Sequence, residues 1–225
     1  MTSLVLQVEQ KSSAAPLTVT VTSLVIAGWA GRDKAATEHH IAELEALGVP
    51  RPDQVPTYYR ASASRLTTQG SIEVIGGDSS GEVEPVVIRH DGKLYVGVGS
   101  DHTDRKLETH GVALSKQICD KPIAATVWPY EEVAGHWDSL VLRSYATIDG
   151  QRVLYQDGGT AALIHVQELM DGYRAGGLAD EAVMFGGTIP AIGGIRPASR
   201  FEGELHDPVL GRTLKFGYDI KILPA

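Results

Sequence analysis

The segment GEVEPVVIRHDGKLYVGVGSDHTDR, residues 81 to 105, holds the residues best spaced to do chemistry together. If Asp91-Gly92 is a two-residue hairpin loop, His90 faces Lys93, Glu84 faces Gly99 and Glu82 faces Asp101. Side chains alternate along a strand, so Glu82 and Glu84 point the same way, with Asp101 across from the first and diagonal to the second. Three carboxylates that close repel one another, and they need protons, basic partners or a cation. An all-oxygen set suits magnesium, manganese or calcium, whereas zinc recruits histidine or cysteine. The same spacing is that of a solvated polar strand face, because glutamates at alternate exposed positions are common, and spacing alone leaves both readings open. Pro85 lacks a ladder N–H, which points to an edge strand or to a bulge that shifts this register by one residue.

A second pair is His40 and Glu43. At i and i+3 on a helix they are neighbours, so Glu43 can orient the imidazole and raise its basicity, as a general base requires. A helical histidine beside a glutamate is far more often a surface pair, and the adjacent His39 leaves the choice of histidine open. Lys116, in SKQICDKP, can hold a substrate carboxylate or enolate, or be a solvated charge. Cys119 has no histidine near it in sequence and reads as a small core residue. His110, His136, His165 and His206 show no metal-ligand spacing. Ser100 and Ser115 stand in no G-x-S-x-G elbow, and FGGTIPAIGG leads into proline rather than a phosphate-binding helix.

The elements that must carry these residues are mostly strands. Residues 3 to 8 and 17 to 26 alternate apolar and polar side chains and pair as a hairpin. From Asp33 to Leu47 the period becomes helical, with Ile41, Leu44 and Leu47 on one face, Gly48 as a cap and Pro50 and Pro52 beyond. Leu140 to Ile148 and Gln151 to Tyr155 flank an Asp149-Gly150 turn, a second hairpin. Residues 160 to 174 read as a helix with Thr160 as N-cap and Leu163, Val166, Leu169 and Met170 on its buried face. The last fifty residues read as short strands broken by Gly and Pro.

Composition narrows the class. The 225 residues include 20 Lys and Arg against 28 Asp and Glu, a net charge of −8 and a pI near 5.4, which argues against nucleic acid and anionic lipid as partners. A 43% hydrophobic share supports one core, and 25 Gly with 11 Pro fit turns between strands rather than a long coiled coil. The lone Cys119 excludes an internal disulfide and a thiolate metal cluster and fits a reducing compartment. Apolar runs such as 24 to 27 fall far short of a membrane helix, and no export signal opens the chain, so a cytoplasmic protein is expected.

Taken in order, these segments resemble the fumarylacetoacetate hydrolase superfamily over roughly residues 28 to 223, and within it a branch resembling the DUF2848 family. GRDKAATEHHIAELEALGVPRP is similar to the family's GRNYxDHxxE segment, with His40 and Glu43 in the matching places. The E-x-E strand and the D-x-[ST]-x-R motif correspond to Glu82, Glu84 and to Asp101 with Thr103 and Arg105. SKQICDKPIAA resembles K-x-x-D-x-x-x-P, slightly displaced, giving Lys116. DGQRVLYQDGGTAALI resembles N-G-x-x-x-Q-x-G-x-T, with Gln156 and Thr160, and LADEAVMFGGTIPA keeps the Gly187, Thr188 and Pro190 of the last motif. The chain departs from the pattern in its tight Asp-Gly turn, in Lys106 where the family has Asp, and in a degenerate Pro-Gly-Asp.

The resemblance implies an α+β, mostly β fold, a mixed β-sandwich roll with a few short helices. It implies one catalytic domain over 1–225, with N-terminal strands and a lid helix in 1–70 and a metal-binding roll in 71–225. It implies a homodimer acting on a small oxo-acid carboxylate, with one Mg2+ or Mn2+ per chain held by Glu82, Glu84 and Asp101. The activity expected is hydrolysis of a C–C or C–N bond beside a carbonyl. His40, oriented by Glu43, activates water; Lys116 and Arg105 stabilise the enolate and carboxylate; Gln156 and Thr188 contact the substrate. Two alternatives stand: decarboxylation or tautomerisation of an oxo acid at the same site, and a carboxylate-binding module without catalysis.

Overall fold

A computed structural model describes residues 1–11, 13–46 and 48–224, with His40 described by its backbone alone. The chain begins β1 (Thr2–Gln10), β2 (Ser13–Val21), β3 (Ser23–Gly28), α1 (Lys34–Ala46), β4 (Thr57–Ala61). It continues β5 (Leu66–Thr67), β6 (Ser71–Ile75), β7 (Ser79–Ser80), β8 (Val83–His90), β9 (Lys93–Ser100), β10 (Thr103–Asp104). Then come α2 (Arg105–Glu108), α3 (Val112–Ile118), β11 (Lys121–Pro122) and β12 (Thr126–Pro129). The last part is β13 (Val141–Ile148), β14 (Gln151–Gly159), α4 (Val166–Gly172), β15 (Ala182–Phe185), β16 (Arg200–Asp207) and β17 (Arg212–Leu223). It is a mostly β fold with a few short helices, as the sequence leads one to expect.

Eight strands form one sheet, in the order β2-β1-β12-β9-β8-β15-β3-β4, and five form another, β14-β13-β16-β17-β6. Val83, Val87, Val98 and Met184 of the first pack with Leu142, Phe201, Leu205 and Tyr218 of the second in one core. The other face of the first sheet has its own core, which draws on both end strands, Val19 and Val21 of β2 and Ala61 of β4, so the sheet curls around it. Strand β8 is therefore buried on both faces, which is why PVVI runs apolar without alternation.

The β8–β9 hairpin has the expected register, His90 facing Lys93 and Glu84 facing Gly99 without a shift. The expectation of an edge strand or bulge at Pro85 is overturned: β8 lies between β9 and β15. Pro85 is tolerated at the end of the ladder to β15: past the last pair, Val86 opposite Phe185, its carbonyl still accepts from the Gly186 N–H (2.9 Å), and only the N–H that proline lacks goes unused.

Three other expectations are corrected. The run 17 to 26 is two strands, parted at Thr22, whose N–H and hydroxyl both donate to the Glu181 carbonyl (2.8 and 3.1 Å). The helix expected over 160 to 174 is a 3-10 turn at Thr160–Ala162 followed by α4. Thr160 is not its cap, because its hydroxyl donates to the Trp137 carbonyl, and the Ile164 N–H bonds Ala30 (2.8 Å), drawing the intervening residues out of the helix. His165 caps instead, its ring nitrogen accepting from the Gln167 N–H (3.2 Å). The C-terminal strands are long, eight and twelve residues. Gly203 misleads there: it sits inside a strand, because a Cβ would lie 2.4 Å from the Phe216 ring.

Helix α1 forms as expected, with Asp33 Oδ1 accepting from the N–H groups of Ala35 and Ala36 (2.9 and 3.1 Å). Ile41 is buried and Leu44 partly so, while Leu47 lies outside the described residues.

Candidate functional site

The three carboxylates meet where the β8–β9 hairpin opens. Glu84 is 2% exposed and Asp101 fully buried. The Asp101 N–H donates to the Glu82 carbonyl (3.0 Å), extending the ladder one pair past Val83 and Ser100. One oxygen from each of Glu82, Glu84 and Asp101 lies within 4.8 Å of the others. Gly99, opposite Glu84, keeps the site open to the chain beneath it: a Cβ there would stand 2.9 Å from the Pro122 carbonyl. Glu84 Oε2 accepts from the Gly187 N–H (2.9 Å), and Gly187 takes a left-handed φ of 89° to present it.

Three cations surround them. Lys116 Nζ donates to Asp101 Oδ2 and lies 3.9 Å from Glu82. Arg105 reaches Glu82 (3.0 Å), Glu108 (3.1 Å) and the Ser80 hydroxyl (2.7 Å). Lys121 Nζ is 3.3 Å from Asp101 Oδ1. Burial, then the charges of Asp101 and Glu82, push the Glu84 carboxyl well above the usual carboxylate range. Asp101 goes the other way: burial raises it, but Lys116 and Lys121 outweigh burial and hold it ionised. Burial opposes the Lys116 charge too, and Asp101 and Glu82 more than offset this, so Lys116 stays an ammonium.

The family model described as Protein of unknown function (DUF2848) matches residues 27–218. The chain belongs to that family. Solved structures share the fold of this DUF2848 chain at low identity. A yeast fumarylacetoacetate hydrolase family protein is 17% identical, with a TM-score of 0.65 over 92% of this chain and 95% of its own. Fumarylpyruvate hydrolase from Pseudomonas aeruginosa, in complex with Mn2+ and pyruvate, is 15% identical, with a TM-score of 0.65 over 99% and 97%. A 2-keto-3-deoxyarabinonate dehydratase is 16% identical, with a TM-score of 0.67 over 91% and 75%. The fold is that of fumarylacetoacetate hydrolase family proteins. No curated protein matches the chain in sequence.

The residues of this DUF2848 chain fit a hard divalent cation. The donors are all oxygen. Asp101 Oδ1 is buried without a hydrogen-bond partner, and the buried Glu84 carries a repulsion that an ion would relieve.

Other sequence-derived candidates fall elsewhere. Gln156 is buried and spans three elements: its Oε1 accepts from the Val83 N–H (3.0 Å) and the Ser144 hydroxyl (2.8 Å), and its amide donates to Thr188 (2.9 Å) and the Ile189 carbonyl. The Thr188 hydroxyl donates to the Val83 carbonyl (2.8 Å). Both therefore brace the strand that carries the glutamates. Glu43 lies on α1 with His39 Nε2 3.3 Å away; the side chain of His40 lies outside the described residues.

The sequence reading missed a buried hydrogen-bond chain under the site. Ser79 meets His102 Nε2 (2.9 Å), His102 Nδ1 meets the Tyr218 hydroxyl (2.9 Å), and Tyr218 meets Ser100 (2.8 Å), which accepts from the Glu82 N–H (3.2 Å). Burial, with Lys121 and Arg105 nearby, pulls His102 down to about 3, so the ring is neutral. Its only signal was its place in DHTDR, beside a ligand candidate. A cleft of about 500 Å3 opens beside Arg105, lined also by Ser79, Ser80, Lys106 and Ile195.

Proposed function

We propose that this chain is a divalent-metal-dependent hydrolase that cleaves a C–C or C–N bond next to a carbonyl in a small oxo acid. The observation that carries the reading is the convergence of Glu82, Glu84 and Asp101 within 4.8 Å in a buried setting. These three would hold one Mg2+ or Mn2+, which when bound supplies Lewis-acid polarisation of a substrate carbonyl. The presence of Mn2+ and pyruvate in the Pseudomonas aeruginosa hydrolase supports the same choice.

The chain's own groups then have distinct tasks. Lys116, ammonium throughout the neutral range, and Arg105, beside the open cleft, bind the substrate carboxylate and stabilise enolate charge. His40, with Glu43 behind it, takes a proton from water. The water oxygen bonds to the acyl carbon, the C–C or C–N bond breaks, and its electron pair leaves on carbon as the enolate or on nitrogen as the amine, which takes up a proton. Helix α1 is largely exposed, in keeping with a lid over the site. The enzyme acts as a homodimer on small carboxylates. A second reading is decarboxylation or tautomerisation at the same centre without water attack; a dehydratase among the solved structures supports it only in that this fold also serves enzymes other than hydrolases.

The test is a set of alanine variants assayed over an oxo-acid panel in labelled water. Glu82→Ala and Asp101→Ala should lose Mn2+ binding and metal-dependent turnover together. His40→Ala should keep Mn2+ affinity and lose turnover. Parent-like Mn2+ binding by both carboxylate variants would overturn the assignment.

A further inference from the structure

Asp101 stands between two lysines held in different ways. Lys116 is at the rim, with 8% of its side chain exposed, and its Nζ meets the Asp101 and Glu82 carboxylates and faces the Tyr59 ring at 5.9 Å. Lys121 is wholly buried. Its Nζ donates to the backbone carbonyls of His102 (2.6 Å), Cys119 (3.1 Å) and Lys116. An ammonium has three N–H bonds, and three carbonyls use them all. Its 3.3 Å approach to Asp101 Oδ1 is therefore an attraction between charges, which agrees with that oxygen having no hydrogen bond of its own.

The carbonyls belong to two places that the site must hold together: the chain just past β9, which bears Asp101, and the end of α3, which bears Lys116. We propose that Lys121 is a positioning residue of the carboxylate centre, tying the Lys116–Cys119 turn to the end of β9 and keeping Asp101 Oδ1 bare and turned for a divalent ion. Lys116 spends its Nζ on two carboxylates at the rim, whereas Lys121, caged by three carbonyls, has no N–H left for a substrate and stays a fixed neighbour of Asp101. An apolar side chain of equal length would fill the same volume but leave three buried carbonyls without a donor, so the amine is there to hold these two segments to each other. The inference rests on reading Glu82, Glu84 and Asp101 as a metal centre.

The backbone at Lys121 has its own anchors. Lys121 and Pro122 pair with Leu66 and Thr67, and the Ile123 and Ala124 N–H groups bond Thr67 (2.9 Å) and Val98 (2.8 Å). Variants at this position therefore have a scaffold to fold on. Lys121→Met keeps the length without donors; Lys121→Gln keeps an N–H donor on a shorter, uncharged arm. Mn2+ alone is the probe, titrated by electron paramagnetic resonance into protein shown folded by circular dichroism, with the parent and Asp101→Asn alongside. Removing a cation by itself draws a divalent ion in more tightly, whereas losing the positioning weakens it, so the two roles differ in sign. The Kd for Mn2+ should rise at least tenfold in Lys121→Met, about 1.4 kcal/mol, and at least threefold in Lys121→Gln, which carries the test if the methionine variant does not fold. A folded variant that binds Mn2+ as tightly as the parent, or tighter, overturns the proposal alone. A parent that binds no Mn2+ overturns the metal reading and this inference with it.

Discussion

Glu84 shows how one carboxyl can hold two states of the site. Buried and facing Asp101 and Glu82, it keeps its proton to a higher pH than it would in the unfolded chain. That proton favours the fold on the acid side, and the advantage is lost as pH rises through the raised value. A divalent ion takes the proton's place. The rise in Tm on adding saturating Mn2+ should therefore grow as pH is raised through the range in which Glu84 gives up its proton, read by scanning calorimetry; a rise independent of pH would count against it. Glu82, Glu84 and Asp101 were legible because a two-residue turn sets the register and alternation sets the face. Lys121 and His102 were not, because their roles depend on carbonyls and hydroxyls from segments that sequence does not place together.

Among the elements, the β8–β9 hairpin carries the site, and its stiffness comes from what crosses it. Gln156 on β14 reaches the Val83 N–H, Ser144 on β13 and the segment after β15. Truncation leaves several buried groups unpaired at about 1–3 kcal/mol each. Gln156→Ala should thus lower unfolding stability by roughly 3 kcal/mol in urea titrations; an unchanged midpoint with a raised KM would instead place Gln156 at the substrate. The motif singles out Gln156 as a substrate contact, but only packing shows that its amide faces protein groups. Helix α4 makes the same point: periodicity marked Val166, Leu169 and Met170 as buried, as they are, while contacts with Ala30 decided where the helix starts.

Across the whole molecule, one polar corner joins the two sheets. Asp207, ending β16, accepts from the N–H groups of Val209 and Leu210 (both 3.0 Å) and meets His136 Nε2 at 3.0 Å. Arg212 lies 3.5 Å from it and stacks 4.4 Å over Trp128 of the other sheet. Burial works against the Asp207 charge, but the Leu210 N–H and His136 outweigh it and hold the carboxyl below its usual value. Its stabilisation is present above the unfolded carboxylate pKa and fades as pH falls through the lower folded value. Asp207→Asn should cost roughly 2 kcal/mol at pH 7, and in thermal melts the gap to the parent should narrow as pH falls below the usual carboxylate range; a constant gap would refute the charge role. By itself, the sequence determined the strand-rich class, the hairpin register and the triad of carboxylates, because turns, alternation and charge act between near neighbours. Only the tertiary structure decided that β8 is interior, that Gln156 and Thr188 brace it, and that Lys121 is caged by carbonyls beside Asp101. Those outcomes depend on strands far apart in the chain meeting in a sheet and a core, where burial sets the cost of every polar group.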